Sequence, residues 1–427
     1  MQVVHIIPYL GRAQGGPVFG LASCVMALAD VGCDVQIFTV RRPTDGEPVA
    51  MPPNVRVTAF DDSGWGSFRR CPVLDQALAG ARCEIVHSHG LWTDVHRSAA
   101  AQARKRSLPH LLAPCGMLAP GALRRHWWKK VPARIWFQDR ALREAQCLHA
   151  KSQKEYEDIR RFGLRNPVAI IPNAILSPLS SLPSPLFDFR RSHQIADNRR
   201  IVLFLGRLHP VKGLPRLIQA WARIQSEKAG SVPMKSRNRE SRKLKSEDGP
   251  VKWQKEFTGQ EGRRLGDWVL VLAGPDEGGH RSELESLVTE IGCQKSVKFT
   301  GELDDVQKWG ALAASDLFVM PSDFENFGNA IVEAMVSGLP VITTTGTPWQ
   351  ELPAAGAGWW IEPTVHALAS TLREALAMPE EERREMGCHA LKYSAQFRPE
   401  KAAAALMQVY QWLLATGPKP GCVVLRG

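Results

Sequence analysis

Apolar residues fall into short runs separated by amphipathic stretches, and this alternation continues through most of the chain. Short apolar runs bounded by turn formers read as strands buried on both faces, and stretches with a 3.6-residue period read as the helices that cover them. In the first half the pattern predicts strands at 3–8, 34–40, 55–60, 85–88 and 110–113, and a helix over 17–31 that opens with proline just after two glycines. A second series begins at Ile201 and predicts strands at 201–205, 268–273, 296–300, 317–320, 339–343 and 358–361. Helices are predicted between them at 214–225, 282–291, 329–337 and 365–377. Two successive doubly wound α/β domains account for this order better than one large sheet.

The predicted division is a first domain over 1–171, a linker over 172–200 containing four prolines, and a second domain over 201–395. Residues 396–427 are expected to form a helix packing back on the first domain, followed by a tail. One segment breaks the pattern. Residues 226–266 hold eight apolar positions in 41 and separate a helix from the strand that should follow it closely. This composition predicts a disordered basic insertion, and its two aromatics, Trp253 and Phe257, are too sparse for a base-stacking platform.

At 427 residues the chain is roughly three to four times the usual domain length, which excludes a small binding module. No apolar run approaches the roughly 18 residues needed to span a bilayer. The opening residues lack the basic and long apolar regions of a signal peptide, so a cytoplasmic protein is expected. Nine cysteines without a C-x-x-C pair suggest neither a disulfide framework nor a structural zinc site. The net charge of +11 is unevenly placed: 226–266 contributes 11 Lys/Arg against 6 acids, and 95–138 holds nine Lys/Arg and no acid. Such concentrations attract phosphates, whether on nucleic acid, lipid or nucleotide.

Three constellations carry chemistry. Gly206-Arg207-Leu208-His209-Pro210-Val211-Lys212-Gly213 follows a buried strand and precedes a helix, where backbone amides and two cations suit a diphosphate. A basic surface loop would look the same. In Asp323-Phe324-Glu325-Asn326-Phe327-Gly328-Asn329-Ala330-Ile331-Val332-Glu333, Glu325 and Glu333 lie eight apart across a loop and the following helix, so both can face one crevice. A carboxylate there accepts from vicinal sugar hydroxyls, and the amides of Phe327, Gly328 and Asn329 suit phosphate. Spacing alone does not separate this from a helix-dipole partner and an exposed helix residue. Gly15-Gly16-Pro17 lacks G-x-G-x-x-G spacing but allows a ligand close to the backbone.

Taken together, the G-R-L-x-x-x-K-G loop, the E-x7-E stretch with its internal Phe327-Gly328, the Gly338-Leu339-Pro340-Val341-Ile342 strand and the Gly-Gly loop resemble retaining family 4 glycosyltransferases of the GT-B fold. Ala273-Gly274-Pro275 and Thr300-Gly301-Glu302-Leu303 are similar to that family's nucleotide-side loops, and His87-Ser88-His89-Gly90-Leu91-Trp92 with Gly116-Met117-Leu118 to members building bacterial surface polysaccharides. The resemblance implies two Rossmann-like domains facing a central cleft, the first on the acceptor side. It implies that Arg207 and Lys212 neutralise a donor diphosphate, that Glu325 lies by the transferred hexose and that Glu333 lies on the ribose. Gly15, Gly16, Gly206, Gly274, Leu303, Phe327, Gly328 and Asn329 would complete the donor site, and His89 would contact sugar or acceptor. Three departures stand out: Cys115 where arginine is common, Ala174 where glycine is common, and the 226–266 insertion.

The implied partners are a nucleotide-diphosphate sugar and a glycan or lipid-linked acceptor in polysaccharide or lipopolysaccharide synthesis, with retention of configuration. With no D-x-D motif in an equivalent place, no metal and no cofactor are expected. The competing readings are a nucleotide-sugar 2-epimerase of the same architecture and a non-catalytic basic protein binding membrane or nucleic acid. For a membrane the best evidence is 123–136, where Trp127, Trp128 and Trp136 interleave with Arg124, Arg125, Lys129, Lys130 and Arg134. We expect it to add peripheral attachment to glycosyl transfer, with no specific nucleic acid. A helix packing its tryptophans inward is the alternative, and both stay open.

Overall fold

The computed structural model describes residues 1–12, 15–64, 66–176, 188–226 and 267–425. The 226–266 insertion, from residue 227 on, and residues 177–187 of the linker lie outside the described residues.

The first sheet contains β1 (Gln2–Ile7), β2 (Asp34–Arg41), β3 (Val55–Asp61), β4 (Ile85–His89), β5 (His110–Ala113), β6 (Cys147–Ala150) and β7 (Val168–Ile170). The second contains β8 (Arg200–Leu205), β9 (Trp268–Ala273), β10 (Val297–Gly301), β11 (Leu317–Met320), β12 (Val341–Thr344) and β13 (Gly358–Ile361). A last short strand, β14 (Val423–Val424), returns to the first sheet. The orders are β14-β7-β6-β5-β4-β1-β2-β3 and β10-β9-β8-β11-β12-β13, and every pairing is parallel except β14 on β7. Each order reverses once, between β1 and β4 and between β8 and β11. Loops leaving the carboxyl ends of strands diverge at such points and leave a crevice for a ligand.

The predicted strands lie within a residue or two of those observed. β12 starts later than predicted because Pro340 has no amide to give the ladder, although its carbonyl accepts from the Phe318 amide at 3.0 Å. Three strands were not predicted. β6 holds a single large aliphatic residue, Leu148, and β7 and β14 are three and two residues long, so none forms an apolar run that stands out. Phe189 and Ile195, inside the predicted linker, are buried in the second domain's core because Phe189 opens a short helix (Phe189–Ser192) that packs on that domain.

The helix Pro399–Leu413 follows the whole second domain in sequence, yet its Ala403, Leu406, Val409 and Tyr410 are buried with Val18, Leu21 and Val25 of the helix Gly16–Asp30. The chain therefore passes between the domains twice. The two crossings touch, the Ile175 amide donating to the Phe397 carbonyl at 3.0 Å.

Candidate active site

The crevices of the two sheets face each other across one cleft of about 510 Å³, inside the roughly 300–1,000 Å³ range of small-molecule sites. On the second domain's side, β8 ends at Leu205 and the chain turns through Gly206 into the basic loop. Gly274, after β9, has φ +141°, and a Cβ on it would lie 2.0 Å from the Gly206 carbonyl oxygen. Only glycine lets these two loops pack together. The helix Asn329–Val336 starts with Gly328 in the left-handed region at φ +88°, and no side chain caps it, so its first amides open towards the cleft.

Lys212 Nζ is ion-paired with Glu325, both side chains 14% exposed, and Ser322 Oγ donates to the same carboxylate at 2.9 Å. Arg207 pairs with Glu277 and is about half exposed. Lys308 Nζ lies 2.8 Å from Glu333, and Arg12 reaches across the cleft to Asp305 at 2.7 Å. This wall alternates cations and carboxylates, each cation already held by an acid.

The first domain's wall differs. Gly15 starts the helix Gly16–Asp30 with φ +71° and no side-chain cap. His89 ends β4, and Cys115 and Lys151 follow β5 and β6. Lys151 is 8% exposed, and among the described residues it is the one cleft-lining cation with no carboxylate within 4.0 Å. Burial lowers the pKa of His89 well below the usual histidine range, assisted by the charges of His5 and Lys151, so the ring is neutral. Burial likewise pushes the Cys115 thiol up to about 12.

Polar side chains stitch the walls together. Glu155, buried, accepts from the amides of Gly116 (2.6 Å) and Lys151 (2.7 Å) and from Asn326 Nδ2 (3.1 Å) of the opposite domain. Ser152 Oγ donates to the Asn326 carbonyl at 3.0 Å, and Lys154 Nζ to the Gly346 carbonyl at 2.7 Å. Asn329 Nδ2 donates to the Gly16 carbonyl and its Oδ1 accepts from Asn173 Nδ2, both at 3.0 Å. A Cβ on Gly116 would come 2.9 Å from the Asn326 side chain, so the approach needs glycine there.

All the residues singled out from the sequence line this cleft: Arg207, Lys212, Glu325 and His89, and with them Gly15, Gly16, Gly206, Gly274, Leu303, Phe327, Gly328, Asn329 and Glu333. Sequence reasoning missed Lys151, Asn173, Arg12 and Lys308, which line it too. Lys151 follows a strand that makes no clear apolar run, and the spacing of Ser152 and Glu155, an N-cap with its partner three residues on, was the available signal. Among the described residues, His5, His87 and His89 form a group whose ligand atoms lie within 4.8 Å. Both ring nitrogens of His5 and of His87 already have polar partners, and Lys151 adds positive charge beside them, so this set does not suit a cation.

Outside the cleft, Trp127, Trp128, Ile135 and Trp136 are 60%, 56%, 85% and 64% exposed, which corrects the inward-packing alternative. Arg124, Arg125 and Lys129 are exposed around them, whereas Lys130 turns back to the carbonyls of Ala122 and Arg125. His209 of the basic loop is held below the usual histidine range by burial, and Arg125 is among the charges that lower it. No described helix is long and apolar enough to cross a membrane.

Residues 15–174 match the family model described as "Glycosyl transferase 4-like domain", and 244–393 match "Glycosyl transferases group 1". The lipopolysaccharide core biosynthesis mannosyltransferase LpsB of Rhizobium meliloti is 36% identical over 94 residues, 21% of this chain and about a quarter (26%) of that protein. A D-inositol 3-phosphate glycosyltransferase of Corynebacterium urealyticum is 24% identical over 96% of this chain and 93% of its own length. Anabaena HepE, solved in complex with UDP and glucose, superposes with a TM-score of 0.69 at 19% identity, covering 96% of this chain and all (100%) of that one. With both domains matched and two parallel sheets facing one cleft, the chain belongs to the family 4-type glycosyltransferases of GT-B fold.

Proposed function

We propose that the cleft moves a hexose from a nucleotide-diphosphate sugar to a glycan or lipid-linked acceptor of surface-polysaccharide or lipopolysaccharide synthesis, with retention of configuration and without a metal. The observation that carries this reading is the convergence of Lys212, Arg207 and Glu325 with the uncapped Gly328–Asn329 helix start and the Gly15-Gly16 turn. As the anomeric bond breaks, negative charge grows on the leaving diphosphate, and fixed cations and amides stabilise it electrostatically. The acceptor oxygen attacks the anomeric carbon from the face the leaving group departs, and its proton passes to a donor phosphate oxygen. Glu325, held by Lys212 and Ser322, positions the sugar rather than attacking it.

Lys151 supports an anionic substrate group at the sugar end: it adjoins Cys115, the corner where the resemblance has arginine, so a cation is present there from another strand. The exposed tryptophans with Arg124, Arg125 and Lys129 support docking on an anionic membrane surface, the rings seated at headgroup level. The relative named for lipopolysaccharide core synthesis fits a glycan or lipid-linked acceptor, and the relative named for D-inositol 3-phosphate fits an anionic acceptor group near Lys151.

A panel of nucleotide sugars screened for thermal stabilisation, followed by product analysis with a lipid extract, tests the reading. A stabilising donor whose sugar reaches a lipid or glycan with its anomeric configuration kept, in excess EDTA, is expected. Transfer abolished by chelator and restored by Mg²⁺ or Mn²⁺ would overturn the metal-free account.

A further inference from the structure

Behind His89 lies a line of polar side chains that sugar transfer does not use. His5 of β1, His87 of β4, His149 of β6 and Tyr410 of the helix Pro399–Leu413 are all buried. His149 Nε2 is 3.0 Å from the Ile171 carbonyl oxygen, and His149 Nδ1 is 3.2 Å from His87 Nε2. His87 Nδ1 is 2.8 Å from the Tyr410 hydroxyl, which is 3.3 Å from His5 Nε2. His5 Nδ1 is 3.1 Å from His89 Nε2. His89 Nδ1 has no partner among the described residues and is not among the sealed, unpartnered atoms, so it borders the cleft that His89 lines.

The direction of every bond in this line follows from one end. A carbonyl oxygen only accepts, so His149 Nε2 carries a proton, and a neutral His149 then accepts at Nδ1. His87 must donate from Nε2 and accept at Nδ1, the Tyr410 hydroxyl donates to it, and the tyrosine oxygen accepts from His5 Nε2. His5 is then an acceptor at Nδ1, and His89 donates from Nε2. Reversing the line would face donor to donor or leave the buried Ile171 carbonyl without its bond, which is unfavourable in a sealed interior. Neutrality is secured by burial, which lowers all four rings and takes His5 to about 3. Lys151 Nζ lies 3.3 and 3.1 Å from the two ring nitrogens of His149, nearly equidistant and so over the ring face, where its charge further opposes protonation.

We propose that this line fixes His89 in its Nε2-protonated tautomer, so that the Nδ1 lone pair faces the cleft as an acceptor for a hydroxyl of the reacting sugars, with Tyr410, His87, His149 and His5 as positioning residues. The proposal deepens the glycosyl-transfer reading and rests on it. It assigns His89 a role as acceptor of a hydrogen bond, never donor, and it makes a hydroxyl from the last long helix the middle link.

Tyr410→Phe removes one oxygen and breaks the line. His149→Leu removes both the proton given to Ile171 and the acceptor facing His87. Each variant is expected to lower kcat about tenfold, with nucleoside-diphosphate affinity unchanged. The double variant should lose no more kcat than either single one, because a line broken once is already broken. In histidine-¹⁵N spectra of the wild type, His89 should show a bare Nδ1 and protonated Nε2, and in Tyr410→Phe the His5 and His89 signals should average between tautomers. An Nδ1-protonated His89 in the wild type, wild-type kcat in folded Tyr410→Phe, or additive kcat losses would each overturn the proposal. Failure of the wild type to transfer any sugar would overturn the functional reading, whereas the spectra report the tautomer without substrate.

Discussion

The two walls of the cleft share a topology and differ in electrostatics. The second domain's wall sets Arg207, Lys212 and Lys308 against Glu277, Glu325 and Glu333, a surface of paired charges. The first domain's wall sets neutral imidazoles around a single ammonium, Lys151, that has no carboxylate beside it. A wall of paired charges suits a charged group that comes and goes, since its cations are already held in place before the group arrives. A wall of neutral, hydrogen-bonded rings suits orientation of hydroxyls, where a wrong tautomer costs more than a missing charge.

The contrast can be broken most severely with acid. Burial lowers His5 to about 3 and His96 and His110 to about 4, and His87, His89 and His149 well below the usual value of 6.5. A histidine lowered on folding contributes stability that is present above its unfolded value and lost as the pH falls towards its folded one. Each such ring contributes a slope of about 1.4 kcal/mol per pH unit. The first domain, which holds all six of these rings, should therefore unfold steeply between pH 6.5 and 4, ahead of the second. Calorimetry across this range checks it, and simultaneous loss of both domains would remove the distinction. Next in size, Lys212→Ala should lower turnover about a hundredfold or more, as loss of a buried transition-state partner does. Intact turnover in the folded variant would take the second wall out of the chemistry.

Asn326→Ala attacks the seam rather than either wall. Losing its bond to Glu155 should destabilise the protein by about 1–3 kcal/mol, read by chemical denaturation, with the separate domains' spectra preserved. Arg207→Ala should cost less than Lys212→Ala, about tenfold in turnover, because its side chain is half exposed and already screened. Equal losses would mean that exposure does not rank these cations. The smallest effect is expected outside the cleft. Replacing Arg124, Arg125 and Lys129 by serine should weaken co-sedimentation with anionic vesicles severalfold and flatten its salt dependence, leaving donor binding intact. Lys130 is best left in place, since it braces the carbonyls of Ala122 and Arg125.

The two walls were also unequally legible. Arg207 and Lys212 share one loop after β8, and Glu325 and Glu333 lie eight apart after β11, so the sequence offered each motif as a candidate and the family resemblance joined them at one crevice. The first wall is assembled across the sheet. His5 and His87 are neighbours only because β1 and β4 pair in that register, and Tyr410 joins them from more than three hundred residues away in sequence. Lys151 was hidden because β6, with Leu148 as its one large aliphatic residue, forms no clear apolar run, and the bond from Asn326 to Glu155 exists only once two separate domains meet. Alternating apolar runs report which strands exist. They carry no information on strand order, on which the buried polar line depends.

The helix Pro399–Leu413 has a consequence for biogenesis. The first domain's sheet emerges first from a ribosome, but one face stays uncovered until Ala403, Leu406 and Val409 arrive, after the entire second domain. At 5–20 residues per second that interval is roughly ten to fifty seconds. During it the nascent chain exposes Val18, Leu21 and Val25, a surface that chaperones bind. The second domain can be complete while Tyr410 is still missing, so the polar line behind His89 closes only after that domain has been made.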